Sequence, residues 1–110
     1  MTQVCSECRS PVEAALHAIA GKWKPPILWQ LMEGTLRFGE LQRRIPEITQ
    51  KVLTQHLREL EADGLVHREV YPEVPPRVEY SLTDMGRSLE SVLGVLCDFG
   101  KSLEAQSADD

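Results

Sequence analysis

A chain of 110 residues, 42% hydrophobic and 26% charged, has the composition of one globular domain able to bury roughly two-thirds of its unfolded surface. No apolar run approaches the roughly 20 residues that span a bilayer, and the first residues lack the charged and apolar regions of a secretory signal, so no membrane partner and a cytoplasmic location are expected. A net charge of −5 argues against a chain that holds nucleic acid by bulk charge, and three cysteines argue against a disulfide framework.

Residues 1–10 read as a polar N-terminal arm carrying Cys5 and Cys8. From Pro11, the residues Val12, Ala15, Leu16, Ile19 and Ala20 recur at the spacing of one helical face. Pro11 suits a first helical turn, where its missing N–H costs nothing, and Gly21 breaks the helix. Trp23, Ile27, Leu28, Leu31 and Met32 make a second stripe, ended by Gly34. Pro25 and Pro26 fit only at its start, because an interior proline removes a hydrogen bond and clashes with the preceding turn. Leu36 and Arg37 are expected to form a very short strand against the segments downstream.

A short amphipathic run, Phe38 to Ile45, ends in the connector Pro46-Glu-Ile-Thr49. A second run follows from Gln50 to about Ala62, with Thr49 as the expected N-cap. Stepping roughly 100° per residue places Leu57 and Leu60 within about 40° of Leu53, and Lys51, Thr54, Gln55 and Arg58 on the opposite half. After Gly64 come two alternating segments, Val66–Tyr71 and Arg77–Leu82, which read as a hairpin. Its loop, residues 72–76, holds three prolines, any of which is a candidate for a cis bond. The last run starts at Thr83, another expected N-cap. Met85, Leu89, Val92, Leu93, Leu96, Phe99 and Leu103 form one stripe over about five turns.

The order helix, turn, helix, two-stranded wing predicts a mainly α fold with a small β-wing (α+β): a winged helix-turn-helix domain with a long C-terminal dimerisation helix. The expected division is an arm at 1–10, a DNA-binding unit at 11–83, and a dimerisation helix and tail at 84–110, all within a single structural domain. A helix presented after a tight turn is a device for reading the DNA major groove. Residues 37–58 hold five basic and two acidic side chains, so that segment is +3 and the remainder −8. A small basic face can hold phosphates while the rest of the chain stays acidic.

The chain resembles the HxlR-type winged helix-turn-helix regulators, relatives of the MarR group. The resemblance is carried by Pro11-Val-Glu-Ala-Ala-Leu16, Ile19-Ala-Gly-Lys-Trp23, Arg37-Phe-Gly-Glu-Leu41, Leu53-Thr-Gln-His-Leu-Arg-Glu-Leu60, Asp63-Gly-Leu65 and Tyr71-Pro-Glu-Val-Pro-Pro-Arg-Val-Glu-Tyr-Ser-Leu-Thr83. It covers about residues 8–100 and implies a cytoplasmic homodimer that binds double-stranded DNA and regulates transcription. The family often has a cysteine directly before the position of Pro11. Here that residue is Ser10, and Cys8 lies two residues further upstream.

On this reading Lys51, Thr54, Gln55 and Arg58 are the expected DNA contacts. Glutamine can bond adenine bidentately, and arginine can bond guanine or phosphate. Gln50 is placed to bond a phosphate at the helix start, Arg43 and Arg44 to clamp backbone, and Arg77, at the base of the wing, to reach phosphate or minor groove. Arg68 ranks lower, because its strand face otherwise reads as buried. The terminal stripe is expected to pair with its own copy, beside the first helix, matching a palindromic operator.

Cys5 and Cys8 form a two-residue-spaced pair without a second pair to complete a zinc site, so no metal or other cofactor is expected. Two readings of the thiols stay open: a redox switch between the arm and Cys97 across the dimer, and ordinary free cysteines. Two other functions compete. A winged-helix protein-interaction module without DNA binding is favoured by the net charge and disfavoured by the basic segment. A small redox enzyme lacks any motif that places a general acid or base, so no enzymatic activity is expected. No feature identifies a small-molecule or oxidant effector.

Overall fold

The computed structural model describes residues 9–108, with side chains from 10 to 107. The arm bearing Cys5 and Cys8 therefore lies outside the described residues. The elements in order are α1 (Arg9–Ala18), α2 (Lys24–Leu31), β1 (Leu36–Arg37), α3 (Phe38–Arg44), α4 (Gln50–Ala62), β2 (Val66–Tyr71), β3 (Arg77–Leu82), α5 (Asp84–Arg87) and α6 (Leu89–Ala108).

Helix ends follow the expected local chemistry. Pro25 and Pro26 occupy the first turn of α2, where the N–H that proline lacks would have no partner within the helix. The Thr49 hydroxyl accepts from the Val52 N–H at 3.2 Å, capping α4. Gly64, at φ 80°, turns the chain out of α4. The Leu65 N–H then bonds the Leu60 carbonyl at 2.9 Å, satisfying an orphan acceptor of the last turn.

The very short strand is present. β1 pairs antiparallel with β3 (Leu36 with Tyr80, Arg37 with Glu79), and β3 pairs with β2, giving the order β1-β3-β2. The β2–β3 register sets Val66 opposite Leu82, Arg68 opposite Tyr80 and Val70 opposite Val78, all on one face. In the loop between them the Val74–Pro75 bond is cis.

The core gathers α2, α3, α4 and the inner end of the sheet. Ile27, Leu28, Leu31, Leu41, Leu53, Leu57, Leu60 and Val66 are fully buried, each contributing about 1.5–3 kcal/mol by leaving water. Ile45 and Ile48 plug the connector into this core. Gln42 Nε2 donates to the Ile48 carbonyl at 3.0 Å, which fixes the turn and so the angle at which α4 leaves it.

The C-terminal run differs from the single five-turn helix its periodicity suggests. It divides at Ser88 into α5 and α6. Thr83 caps α5 as expected, accepting from the Gly86 N–H at 3.0 Å, but its hydroxyl also donates to the Gly64 carbonyl at 2.5 Å. Ser88 Oγ donates to the Met85 carbonyl at 2.5 Å. Those bonds pin α5 to the start of the wing, and α6 departs in its own direction. Of the terminal stripe only Leu93 is buried, with Leu89 packed partly against the core. Val92, Val95, Leu96, Phe99 and Leu103 are exposed, as are Val12 and Leu16 on α1. The apolar faces of both terminal helices therefore point away from the chain's own core. The Cα radius of gyration, 16.2 Å, exceeds the roughly 13 Å of a compact domain of this size.

Candidate nucleic-acid interface

The two halves of α4 face opposite environments. Leu53, Leu57 and Leu60 are no more than 1% exposed. Gln50, Lys51, Gln55 and Arg58 are exposed and Thr54 is half-buried. These five, with Glu59, line one concave surface of about 710 Å³. The Thr54 hydroxyl donates to the Gln50 carbonyl at 2.8 Å. Its proton is thereby committed to the helix, leaving the methyl group and an acceptor oxygen for a ligand.

A second groove of about 310 Å³ runs between α4 and the wing, lined by Thr54, Arg58, Glu61, Arg68 and Tyr80. Arg58 lines both grooves, so its guanidinium links the helix face to the wing. Arg68 lines this groove and is exposed, so the expectation of a buried strand face does not hold at its position. Its strand face is buried only at the Val66 end; Val70, two residues beyond Arg68, is 48% exposed. The hairpin projects past the core, and a side chain that reads as core by alternation emerges beside α4. Alternation alone carries no signal for that; only the length of hairpin beyond the core does.

Not every expected basic contact stands free. Arg43 is exposed on α3. Arg44, by contrast, holds Glu33 at 2.6 Å and Gln30 at 3.3 Å, both on the α2 side. Arg77 pairs with Tyr71 at the loop end of the hairpin, not at its base. Its guanidinium lies 4.1 Å from the Tyr71 ring centroid and within 3.5 Å of both Glu73 and Glu79. Its charge is largely offset where it stands.

One residue pair went unread in the sequence. Lys24, at the start of α2, is buried, and its ammonium meets the Glu59 carboxylate at 2.8 Å. Glu59 also receives Gln55 Nε2 at 3.4 Å and lies 3.5 Å from His56 Nδ1. Lys24 first, then Gln55, holds the Glu59 carboxyl below the usual glutamate range. Lys24 directly follows the Gly21-Lys22-Trp23 motif, but its spacing from Glu59 carries no pattern. Only the packing of α2 against α4 brings them together.

Cys97 is exposed on α6, at the edge of an apolar groove of about 390 Å³ formed with Pro25, Pro26, Trp29 and Leu96. Among the described residues no three His, Cys, Asp or Glu side chains are grouped to hold a metal ion, and no helix is long and apolar enough to cross a membrane.

Two helices set around a tight turn, the second with its polar face outward, and a two-stranded wing beside it define a winged helix-turn-helix regulator of transcription. Residues 18–108 match the HxlR-like helix-turn-helix family, and the chain belongs to that family. It is 59% identical over 90 residues to an HTH-type transcriptional regulator, described as uncharacterized, from Methanothermobacter thermautotrophicus, covering 82% of this chain and 69% of that one. The reduced form of the redox regulator HypR superposes with a TM-score of 0.85 at 49% identity, over 91% of this chain and 99% of that one. The oxidised form of HypR gives a TM-score of 0.78 at 53% identity, over 84% and 95%.

Proposed function

We propose that the chain is a cytoplasmic, non-enzymatic transcriptional regulator that binds double-stranded DNA as a homodimer. Helix α4 enters the major groove, the wing lies on the flanking backbone through Arg68, and two copies read a palindromic operator. Residues 11–83 serve as the DNA-binding unit and residues 84–110 as the dimerisation helix and tail, with the arm at 1–10 preceding them. The carrying observation is the polarity of α4: fully buried leucines on one side, and Gln50, Lys51, Thr54, Gln55 and Arg58 gathered on one concave outer surface. A plain helix hairpin that only builds core has no reason to collect those groups beside an arginine-bearing wing.

Gel-shift titration against the duplex of the intergenic region next to the protein's own gene tests this reading. With Arg43, Lys51, Arg58 and Arg68 from each protomer on phosphate, affinity falls on the order of 10,000-fold between about 50 and 200 mM salt. Binding that ignores salt, or no binding at any salt, supports the protein-interaction module instead.

A thiol response is the second reading. It is favoured by the similarity to HypR, a redox regulator solved in reduced and oxidised forms, and by the exposed Cys97 on α6. A variant with serine at Cys5, Cys8 and Cys97 is then expected to keep full DNA affinity after diamide treatment that weakens the wild type. An identical response from both proteins rules the switch out.

A further inference from the structure

A carboxylate sits on the surface assigned to DNA, where bare negative charge opposes a phosphate backbone. Glu59 lines the same concavity as Lys51, Gln55 and Arg58. Its charge is met from beneath by Lys24, buried at the start of α2, at 2.8 Å. On its other side it accepts from Gln55 Nε2 at 3.4 Å, one helical turn back.

An ionised carboxylate can only accept hydrogen bonds. Gln55 must therefore turn its NH2 group, not its carbonyl, toward Glu59. One amide hydrogen is used there. The carboxamide edge formed by Oε1 and the second hydrogen stays free, with its donor and acceptor in a fixed order. That order matches adenine in the major groove, whose N6 donates and whose N7 accepts. We infer that Glu59, anchored by Lys24, is a positioning residue that orients the Gln55 carboxamide for adenine, so that a pair outside the direct contacts sets base preference at one position of each half-site. The inference rests on the DNA-reading role of α4.

Binding-site selection from a library of randomised duplexes tests it, using the full chain as wild type, Gln55→Ala, Glu59→Gln, Lys24→Met and Lys24→Arg. Wild type is expected to enrich adenine about tenfold at one position per half-site, the discrimination of a good bidentate pair. Gln55→Ala removes that preference. Glu59→Gln lowers it to about twofold at that position only, because a neutral amide both donates and accepts and no longer fixes the order at Gln55. Lys24→Met relaxes the same position and Lys24→Arg restores it, whereas a purely structural role would weaken every position together.

Circular dichroism checks folding of each variant. If Glu59→Gln leaves Lys24 buried without a partner and unfolds the chain, the double variant Lys24→Met/Glu59→Gln removes both charges and reads the same position. Three results overturn the inference while leaving the DNA-reading role intact. In the first, Glu59→Gln keeps the full adenine preference. In the second, the Gln55-dependent base is not adenine. In the third, Glu59→Gln loses a cytosine preference independent of Gln55, which means Glu59 reads the base itself. A wild-type chain that enriches no motif overturns the DNA-reading role and this inference with it.

Discussion

Leu96→Asp together with Phe99→Asp is expected to convert the protein to a monomer and to lower its affinity for a two-half-site duplex at least about 100-fold. The expectation starts from where α6 points. Leu96 is 45% and Phe99 60% exposed, and Val92, Val95 and Leu103 stand open beside them. A soluble monomer rarely leaves so many large apolar side chains together in water. A copy of the same helix is the simplest cover, because a two-fold interface sets one patch against itself. The open Val12 and Leu16 on α1 extend the same demand. Two aspartates in such a seam would carry charge into a desolvated contact, a cost of several kcal/mol. The DNA effect then follows from linkage. Joining two half-site readers makes the second contact intramolecular, which raises affinity by about 100- to 10,000-fold. Sedimentation equilibrium reads the first part and gel shift the second. A double variant that stays dimeric removes α6 from the interface.

Gly86→Ala is expected to destabilise the fold by about 3 kcal/mol, on the order of 10 °C in thermal midpoint. A Cβ at Gly86 would lie deep inside the contact distance of the Leu65 carbonyl oxygen, 3.0 Å from its carbon and 3.2 Å from Leu82 Cδ2. The backbone neighbour, the Leu65 carbonyl, is held in place. The Leu65 carbonyl already accepts from the Thr83 N–H at 3.1 Å, and the Gly64 carbonyl accepts from Thr83 Oγ1. This junction is where α5 hands the chain from the wing to α6, so strain there is also expected to shift α6 relative to α4. Gly39→Ala is the control, since its Cβ would meet only the flexible end of Arg43 at 3.5 Å. A thermal melt of Gly86→Ala that overlays the control would show that the junction yields, contrary to the packing described.

Much of this architecture is legible in the chain because the signals are local. Leucine spacing marks the inner face of α4, Thr49 and Thr83 mark helix starts, and Pro25 with Pro26 marks where α2 begins. Even the two-residue strand at Leu36 and Arg37 can be anticipated from its place before the helix pair. What is hidden depends on distances between elements. The break at Ser88 leaves the apolar period intact, so the terminal run reads as one helix. Arg68 shares an alternating face with Val66 and Val70, and only the projection of the hairpin past the core exposes it. Arg44 and Arg77 look free until Glu33, Glu73 and Glu79 are folded back onto them. The Lys24–Glu59 pair joins residues that share no pattern, and the arm with Cys5 and Cys8 lies outside the described residues.

The central claim is that the outer face of α4 reads DNA, and one titration tests it most directly. Wild type and the Gln55→Ala/Arg58→Ala double variant are titrated by gel shift on the intergenic duplex at fixed salt, with thermal melts run in parallel. Both side chains are exposed and neither packs in the core, so the melts are expected to agree within about 0.5 kcal/mol. Losing a base-reading amide and a phosphate or guanine contact from each protomer is expected to weaken specific binding at least about 100-fold, at roughly 1–3 kcal/mol per good contact. An unchanged affinity with an unchanged melt would contradict the account and take the reading of DNA away from α4.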